Sequence, residues 1–293
     1  MGASLPVTFQ AGRLAPVRTK PRLKLRPYLT APAAPPASVD WHSRIEAWPL
    51  YGNDLIGDCT AAMVGHNLQN TSTYGDGATV TVPEDDVVAV YSRVSGYRPG
   101  HPETDRGAVL QDVYADWRKN GMAGHRALAF AEVEPSDVAE VKTAINTFGA
   151  VGVGMVVTEV MMTDFNTGRG WGRTGGRALG GHAVVAVGYD ADGLDVVTWG
   201  QVVRMSWGVW RRTVDEAWIA VLPEWINDTT NRSPLGVDLY GLGEAMSALT
   251  GDANPFRPDP DPGPVPPGPV PRPDAADVAL AHAMKTWLAA RDL

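Results

Sequence analysis

The sequence predicts an α+β fold in which a helical N-terminal half packs against an antiparallel β-sheet or barrel half. Apolar residues recur with helical spacing up to about residue 149, and runs of β-branched residues follow from residue 151 onward. The chain has 293 residues, of which 44% are apolar and 20% charged, so it can bury a sizeable core. A cleft between two such halves is the natural place for a ligand.

Four helices and five strands are predicted inside this body. The helix boundaries follow from apolar spacing, from Pro83 near one helix start and from glycines after helix ends; the helices cover 59–69, 83–97, 109–119 and 135–147. The predicted strands cover 151–158, 182–189, 194–199, 202–205 and 217–222, with a hairpin turn at 190–193. The glycine-rich segment 168–181 is interpreted as a mobile loop that borders the cleft.

Proline content divides the chain into four parts. Residues 1–38 contain seven prolines and are predicted to form an extended basic arm, and 39–251 form the folded domain. Residues 252–273 are a proline-rich linker, and 274–293 form an amphipathic C-terminal helix. Three interpretations of the arm are open: a strap across the surface, an inhibitory propeptide or an assembly contact. Three alternatives are also open for the C-terminal helix: it docks on a partner or another copy, it docks on its own body, or it frays.

Charge is distributed unevenly along the chain. The first 39 residues hold six basic residues and no acidic one, whereas 19 basic and 33 acidic residues follow from Asp40 onward. An acidic body is not expected to bind nucleic acid, and the basic arm is expected to contact acidic groups, its own body included. No secretory signal and no membrane-spanning segment is recognised, so we expect a soluble protein that is cytoplasmic or virion-associated and has no membrane partner.

The chain contains a single cysteine, Cys59, at the predicted start of a helix. One cysteine excludes an internal disulfide and a four-cysteine zinc site in the monomer. Free backbone amides at a helix start lower a thiol pKa, and Gly57 before it allows a substrate backbone to come close. Cys59 is therefore either a nucleophile or a small buried hydrophobic residue. His182 follows two glycines and opens a buried strand, where it either faces the cleft or is a structural histidine.

Together these segments resemble the papain-like cysteine peptidases. Residues 39–41 read VDW, like the start of the mature domain in that family, and 52–61 read GNDLIGDCTA, like its nucleophile segment. Residues 181–189 read GHAVVAVGY, which is similar to its histidine strand. The body, with SRVSGY at 92–97 and DRG at 105–107, also resembles a papain-like branch encoded by actinobacterial phages.

The resemblance implies a papain-like fold and a residue-by-residue mechanism. Cys59 would attack a peptide carbonyl, and His182 would take and return the proton. Asn53 stands where the family has an oxyanion-binding glutamine; it keeps the amide but is one methylene shorter, and it is otherwise an ordinary turn residue. Gly57, Gly107 and Gly181 are candidate substrate-binding positions, although Gly107 also reads as a simple loop residue.

The sequence departs from the family at the asparagine that orients the histidine. Neither 197–200 (VTWG) nor 205–208 (MSWG) contains an asparagine. Either Val197 or Met205 therefore falls at the position that orients the histidine, or the Thr198 hydroxyl takes the place of the asparagine amide. Trp199 is a candidate for shielding the site and is otherwise a core residue. Asp58, next to the nucleophile, would oppose thiolate formation if it pointed inward, so we expect it to cap the helix and face solvent.

Two functions from different classes follow. The first is a cysteine peptidase or amide hydrolase that acts on a peptide or protein through an acyl-enzyme, with no cofactor and no metal. The second is a catalytically weak papain-like binding or structural module, such as a phage capsid or tail component, with assembly contacts through the arm and the C-terminal helix. A branch that trims leader peptides is a third, weaker candidate.

Overall fold

The computed structural model describes residues 10, 12–29, 34–226 and 236–257. Most of the predicted linker and the whole predicted C-terminal helix, 274–293, lie outside these residues. The α-helices in the described part are α1 (Cys59–Gly75), α2 (Glu84–Ser95), α3 (Leu110–Lys119), α4 (Val138–Phe148), α5 (Glu159–Asn166), α6 (Trp207–Thr213) and α7 (Leu239–Thr250). The strands are β1 (Val39–Asp40), β2 (Ala129–Val133), β3 (Val151–Thr158), β4 (Ala178–Tyr189), β5 (Gly193–Thr198), β6 (Gln201–Ser206) and β7 (Val214–Val221).

The strands form one antiparallel sheet in the order β2-β7-β3-β4-β5-β6, and β1 pairs with β4. The long strands β3 and β4 occupy its middle, and most of their residues are buried. The sheet is packed against helices, with α1 lying on β4 and α2 and α3 packed on α1. The predicted α+β architecture, a helical half against an antiparallel half, is confirmed.

Local capping explains several helix boundaries. The α2 helix follows Pro83 and ends at Gly96 in the left-handed conformation. The α4 helix begins three residues later than predicted because Asp137 caps it, accepting hydrogen bonds from the amides of Ala139 and Glu140. The α1 helix runs six residues past its predicted end, with nearly every side chain buried, so it lacks the polar stripe that would mark its length.

Several elements differ from the sequence expectation, and the helices α5 and α7 are among those that it did not predict. The glycine-rich segment 168–181 is not all loop, because β4 begins at Ala178. The β2 strand was not predicted, since it contains Glu132, a charged side chain that is almost fully buried. The α6 helix was not predicted either; Ser206 caps it by accepting a hydrogen bond from the amide of Val209.

The arm residues 12–29 lie along the body and pair their charges with it. Lys20 contacts Asp112, and Glu132 receives cations from three arm residues: Arg18, Arg22 and Lys24. Arg26 pairs with Asp137 and Glu140 at the start of α4. The expectation that the basic arm would contact acidic groups of its own body is confirmed for these residues.

Gly152 on β3 lies where the sheet packs closely against the helices, so its substitution tests how tight this packing is. A Cβ there would overlap the Tyr114 hydroxyl and lie 2.7 Å from Met63 Sδ, and both side chains are fully buried. We predict that Gly152→Ala destabilises the protein by about 1–3 kcal/mol, as overpacking of a core does. Urea denaturation measures the change. Gly172→Ala is the matched control, because nothing lies within 4 Å of its Cβ position; an equal effect of both changes would contradict this account.

Candidate active site

Cys59 is the first residue of α1 and is almost completely buried. Its position follows from the turn at 52–58, where Gly57 donates its amide to Asp105 Oδ2 at 2.9 Å. Burial raises the pKa of the Cys59 thiol to about 12, while hydrogen bonds from the backbone amides of Ala183 and Gly12 act to lower it. The sulfur thus lies beside the backbone of the residue that follows His182.

His182 is a fully buried residue of β4, and two residues of the β5–β6 hairpin hold its ring. Its Nε2 lies 2.7 Å from Thr198 Oγ1, and the Trp199 ring stacks on it with centroids 4.2 Å apart and planes 15° from parallel. Burial first, and then the charge of Arg13, lowers the pKa of His182 to about 3. As arranged here, the imidazole and the thiol are both neutral at pH 7.

The hairpin turn explains how Trp199 reaches the imidazole. Thr198 and Gln201 are paired across β5 and β6, so the connecting loop has only two residues, Trp199 and Gly200. Both have positive φ, 43° and 73°, as a tight two-residue turn between twisted strands requires. Positive φ is costly for a tryptophan, and such strain is typically tolerated where it serves a functional arrangement.

Asn53 and Asp58 form a buried polar pair next to Cys59. Asn53 Nδ2 donates to Asp58 Oδ1 at 3.1 Å and to the Ile56 carbonyl at 3.3 Å. The expectation that Asp58 would cap α1 and face solvent is wrong: its side chain is fully buried and makes no capping hydrogen bond. Burial raises its pKa well above the usual value, so the carboxyl favours its neutral form and opposes the Cys59 thiolate less than a charged one would.

The arm crosses the cleft directly over Cys59. The Leu14 amide donates to the Ala108 carbonyl at 2.9 Å, and the Ala108 amide donates to the Gly12 carbonyl at 2.9 Å. On the opposite wall the Arg13 amide donates to the Gly181 carbonyl at 3.2 Å. The cleft therefore binds an extended peptide by its backbone, with β4 on one side and an isolated bridge to Ala108 on the other.

Glycines make this close approach possible. A Cβ on Gly12 would overlap the backbone oxygen of Gly57, and one on Gly181 would overlap the Arg13 carbonyl. A Cβ on Gly107 would lie 2.6 Å from the Gly12 carbonyl. The three predicted glycines 57, 107 and 181 thus all border the peptide in the cleft, although the backbone hydrogen bonds on one wall come from Ala108 rather than Gly107.

Sequence reasoning missed the residues that receive the Arg13 side chain. Arg13 Nη1 contacts Glu216 Oε1 at 2.7 Å, and Nη2 contacts Asp215 Oδ2 at 2.9 Å and the Met155 carbonyl at 3.3 Å. One signal was available: two adjacent carboxylates precede the apolar run 217–222. Nothing in the sequence connects them to an arginine 200 residues earlier.

Within the described residues no group of histidine, cysteine or carboxylate side chains is arranged to hold a metal ion. In the same part of the chain no helix is both long enough and apolar enough to cross a membrane.

Asp58 gives the site a pH-dependent contribution to stability. Its pKa is raised in the folded state, so its favourable contribution is complete below about pH 4, its ordinary titration range, and is lost as the pH rises through the raised value. We predict that Asp58→Asn equals the wild type in free energy of unfolding near pH 4 and becomes the more stable of the two towards pH 8. Urea titrations at each pH measure this difference, and a difference independent of pH would contradict it.

Comparisons with known proteins identify the architecture. No protein-family model and no curated protein matches the sequence. Among solved structures, xylellain, a cysteine protease from Xylella fastidiosa, is similar with a TM-score of 0.54 and 16% identity over 74% of this chain and 96% of that one. A recombinant stem bromelain precursor has a TM-score of 0.51 and 15% identity over 73% and 77% of the two chains.

A third similar structure is digestive procathepsin L 3 from the larval midgut of Tenebrio molitor, with a TM-score of 0.50 and 16% identity. It covers 69% of this chain and 76% of that one. The resemblance to a phage-encoded branch and a place in a virion stay predictions. At these identities the likeness shows the fold: this chain has the papain-like fold.

Proposed function

We propose that this protein is a cysteine peptidase or amide hydrolase that works through an acyl-enzyme on Cys59. One observation carries the proposal: the cleft holds an extended peptide, residues 12–14, by backbone hydrogen bonds from both walls, directly over a buried cysteine at a helix start. A groove that binds a peptide backbone beside a thiol has the two parts that amide hydrolysis needs. The cysteine protease neighbours support the same reaction class.

The proposed reaction uses His182 as the proton carrier. His182 takes the Cys59 proton, the sulfur attacks the substrate carbonyl carbon, and the amine leaves with the proton that His182 returns. Water, deprotonated by His182, then hydrolyses the thioester. In the proposed tautomer Nε2 carries a proton and donates a hydrogen bond to Thr198 Oγ1, and Trp199 covers the ring, so Nδ1 is the nitrogen that exchanges the proton with the thiol.

The oxyanion would be stabilised by the start of α1. The Cys59 amide belongs to the first turn, where backbone donors have no partner within the helix. Asn53 stays a candidate second donor, but in this arrangement its amide donates to Asp58 and Ile56. Its participation therefore requires the amide to turn away from Asp58 when substrate binds.

We infer that the seated arm keeps the enzyme inactive, which favours the inhibitory interpretation of the arm. The Gly12 amide acts on the Cys59 thiol as a hydrogen-bond donor, and the Gly12 carbonyl accepts from the Ala108 amide, so the arm presents a donor to the nucleophile. Two of the similar structures are themselves precursor forms. Activity thus requires the arm to leave the cleft.

The arm-release variant, Gly12→Ala with Arg13→Ala, tests the proposal. A Cβ on Gly12 overlaps the Gly57 oxygen and the second change removes the buried ion pairs, so residues 12–14 are expected to leave the cleft. We predict that this variant hydrolyses fluorogenic peptides and is alkylated by iodoacetamide at least about tenfold faster than the wild type. Circular dichroism checks that it is folded.

Two controls accompany this experiment. Leu14→Ala changes an exposed arm side chain and is expected to behave like the wild type. Adding Cys59→Ala to the arm-release variant is expected to abolish both alkylation and hydrolysis, and hydrolysis that persists without Cys59 would refute the mechanism. An arm-release variant that is folded but hydrolyses no peptide would favour the binding or structural module.

The hydroxyl of Thr198 is predicted to orient the imidazole. In the arm-release background, Thr198→Val removes the acceptor without changing the side-chain shape, and we expect kcat to fall about two- to tenfold, the value of one neutral hydrogen bond. Thr198→Ser keeps the hydroxyl and is expected to stay near the parent rate. Kinetics across pH 5–9 should also show a shifted basic limb for the valine variant alone. Equal rates for valine and serine would show that Thr198 has no orienting role.

A further inference from the structure

The cleft contains an acidic pocket that the arm fills with an arginine. The Arg13 side chain is 2% exposed, and its guanidinium contacts Glu216, Asp215 and the Met155 carbonyl. These acceptors belong to β7 and β3, so the pocket is part of the body and not of the arm. Two nitrogens of one planar fork are engaged, which is the geometry that favours arginine over lysine.

The sheet builds this pocket around Glu216. Its carboxylate is only 1% exposed, and Trp218 Nε1 donates to Oε2 at 3.0 Å, which leaves Oε1 directed at the guanidinium. Gly154 on the neighbouring strand leaves the space open, because a Cβ there would lie 2.5 Å from Glu216 Cγ and 2.9 Å from Arg13 Cδ. A carboxylate buried this deeply is costly without a cation, so the pocket is suited to a positively charged side chain.

The pocket opens beside the nucleophile. The residue that fills it donates its own amide to Gly181, the neighbour of His182, and the preceding residue, Gly12, lies against Cys59. A side chain in the pocket therefore belongs to a peptide that passes directly over the sulfur. A peptide that replaces the arm therefore places a side chain against the same carboxylates, Glu216 and Asp215. This side chain lies within one or two residues of the peptide bond that faces Cys59.

The arm has other attachments that do not involve this pocket. Lys20 pairs with Asp112, and Arg22 and Lys24 pair with Glu132, all along the body beyond the cleft. These contacts hold residues 20–24 by groups other than those that bind Arg13. An acidic pocket inside the cleft is thus not needed merely to attach the arm.

We propose that Glu216, with Asp215, selects peptide substrates that carry an arginine next to the bond presented to Cys59, and that Arg13 occupies this substrate pocket while the arm is seated. The inference rests on the proposed function, and it names the substrate class of the same cleft. Selection operates through the paired contacts to the guanidinium, so a neutral side chain of the same shape is bound less well.

Peptides containing arginine or citrulline provide the test, since citrulline has nearly the same shape and no charge. Binding is measured by fluorescence anisotropy to the arm-release variant that also carries Cys59→Ala, so that no catalysis is required. The probes are three labelled hexapeptides of alanine and glycine with arginine, citrulline or lysine at the third position. We expect the arginine peptide to bind at least about tenfold more tightly, and a lysine peptide to fall between the two.

Substitutions in the pocket complete the binding experiment. Adding Glu216→Gln is expected to reduce the preference for arginine over citrulline to about twofold or less. Glu134→Gln is the matched control, because this carboxylate contacts the arm's Lys24 outside the cleft, and it should leave the preference unchanged. Equal binding of the two peptides, or a preference that survives Glu216→Gln, would overturn the inference. If the double arm change unfolds the protein, Gly12→Ala alone replaces it and the same preference is expected.

Hydrolysis separates this inference from the proposed function. With Cys59 restored, the arm-release variant is expected to cleave the arginine peptide with a kcat/KM at least about tenfold above that of the citrulline peptide. Equal cleavage of both peptides would overturn the inference and leave the peptidase intact. Selective binding without any cleavage would instead refute the peptidase and support an arginine-selective binding site.

Discussion

The packing of α1 against β4 is the constraint on which the rest of this structure depends. It brings Cys59, the first residue of a helix, beside the backbone of Ala183 in a strand much later in the chain, and it buries both Cys59 and His182. The approach is close because Gly152, on the adjacent strand β3, has no side chain to hold Met63 and Tyr114 away. The candidate site is thus a product of the helix–sheet interface, not of a surface loop.

Burial has opposite effects on the two groups that the proposed reaction requires. It raises the pKa of the Cys59 thiol and lowers that of His182, and both shifts favour neutral forms. The Arg13 charge lowers the imidazole pKa further, so the seated arm disfavours protonation of His182 by charge as well as by blocking access. The same charge and the Gly12 amide also act to lower the thiol pKa, so the seated arm affects both groups of the proposed reaction.

Sequence patterns predicted the main elements where the side chains have the environment that is usual for their residue type. The proline and glycine signals around α2, and the β-branched runs of β3 and β4, correspond to the observed elements. The pattern was misleading where a residue serves a distant partner. The β2 strand was missed because it contains Glu132, a charged residue that is nevertheless buried and pairs with cations of the arm. Asp58 occupies a position typical of a helix cap, but it is buried with Asn53.

The sequence by itself determined the α+β class, the basic character of the arm and the candidate pair Cys59 and His182, because these follow from composition, periodicity and short motifs. Only the tertiary structure decided that residues 12–14 lie in the cleft, that Thr198 and Trp199 contact the imidazole, and that Glu216 receives Arg13. These contacts join residues far apart in the chain. Their energies depend on burial and on distances of about 3 Å, which chain folding alone creates.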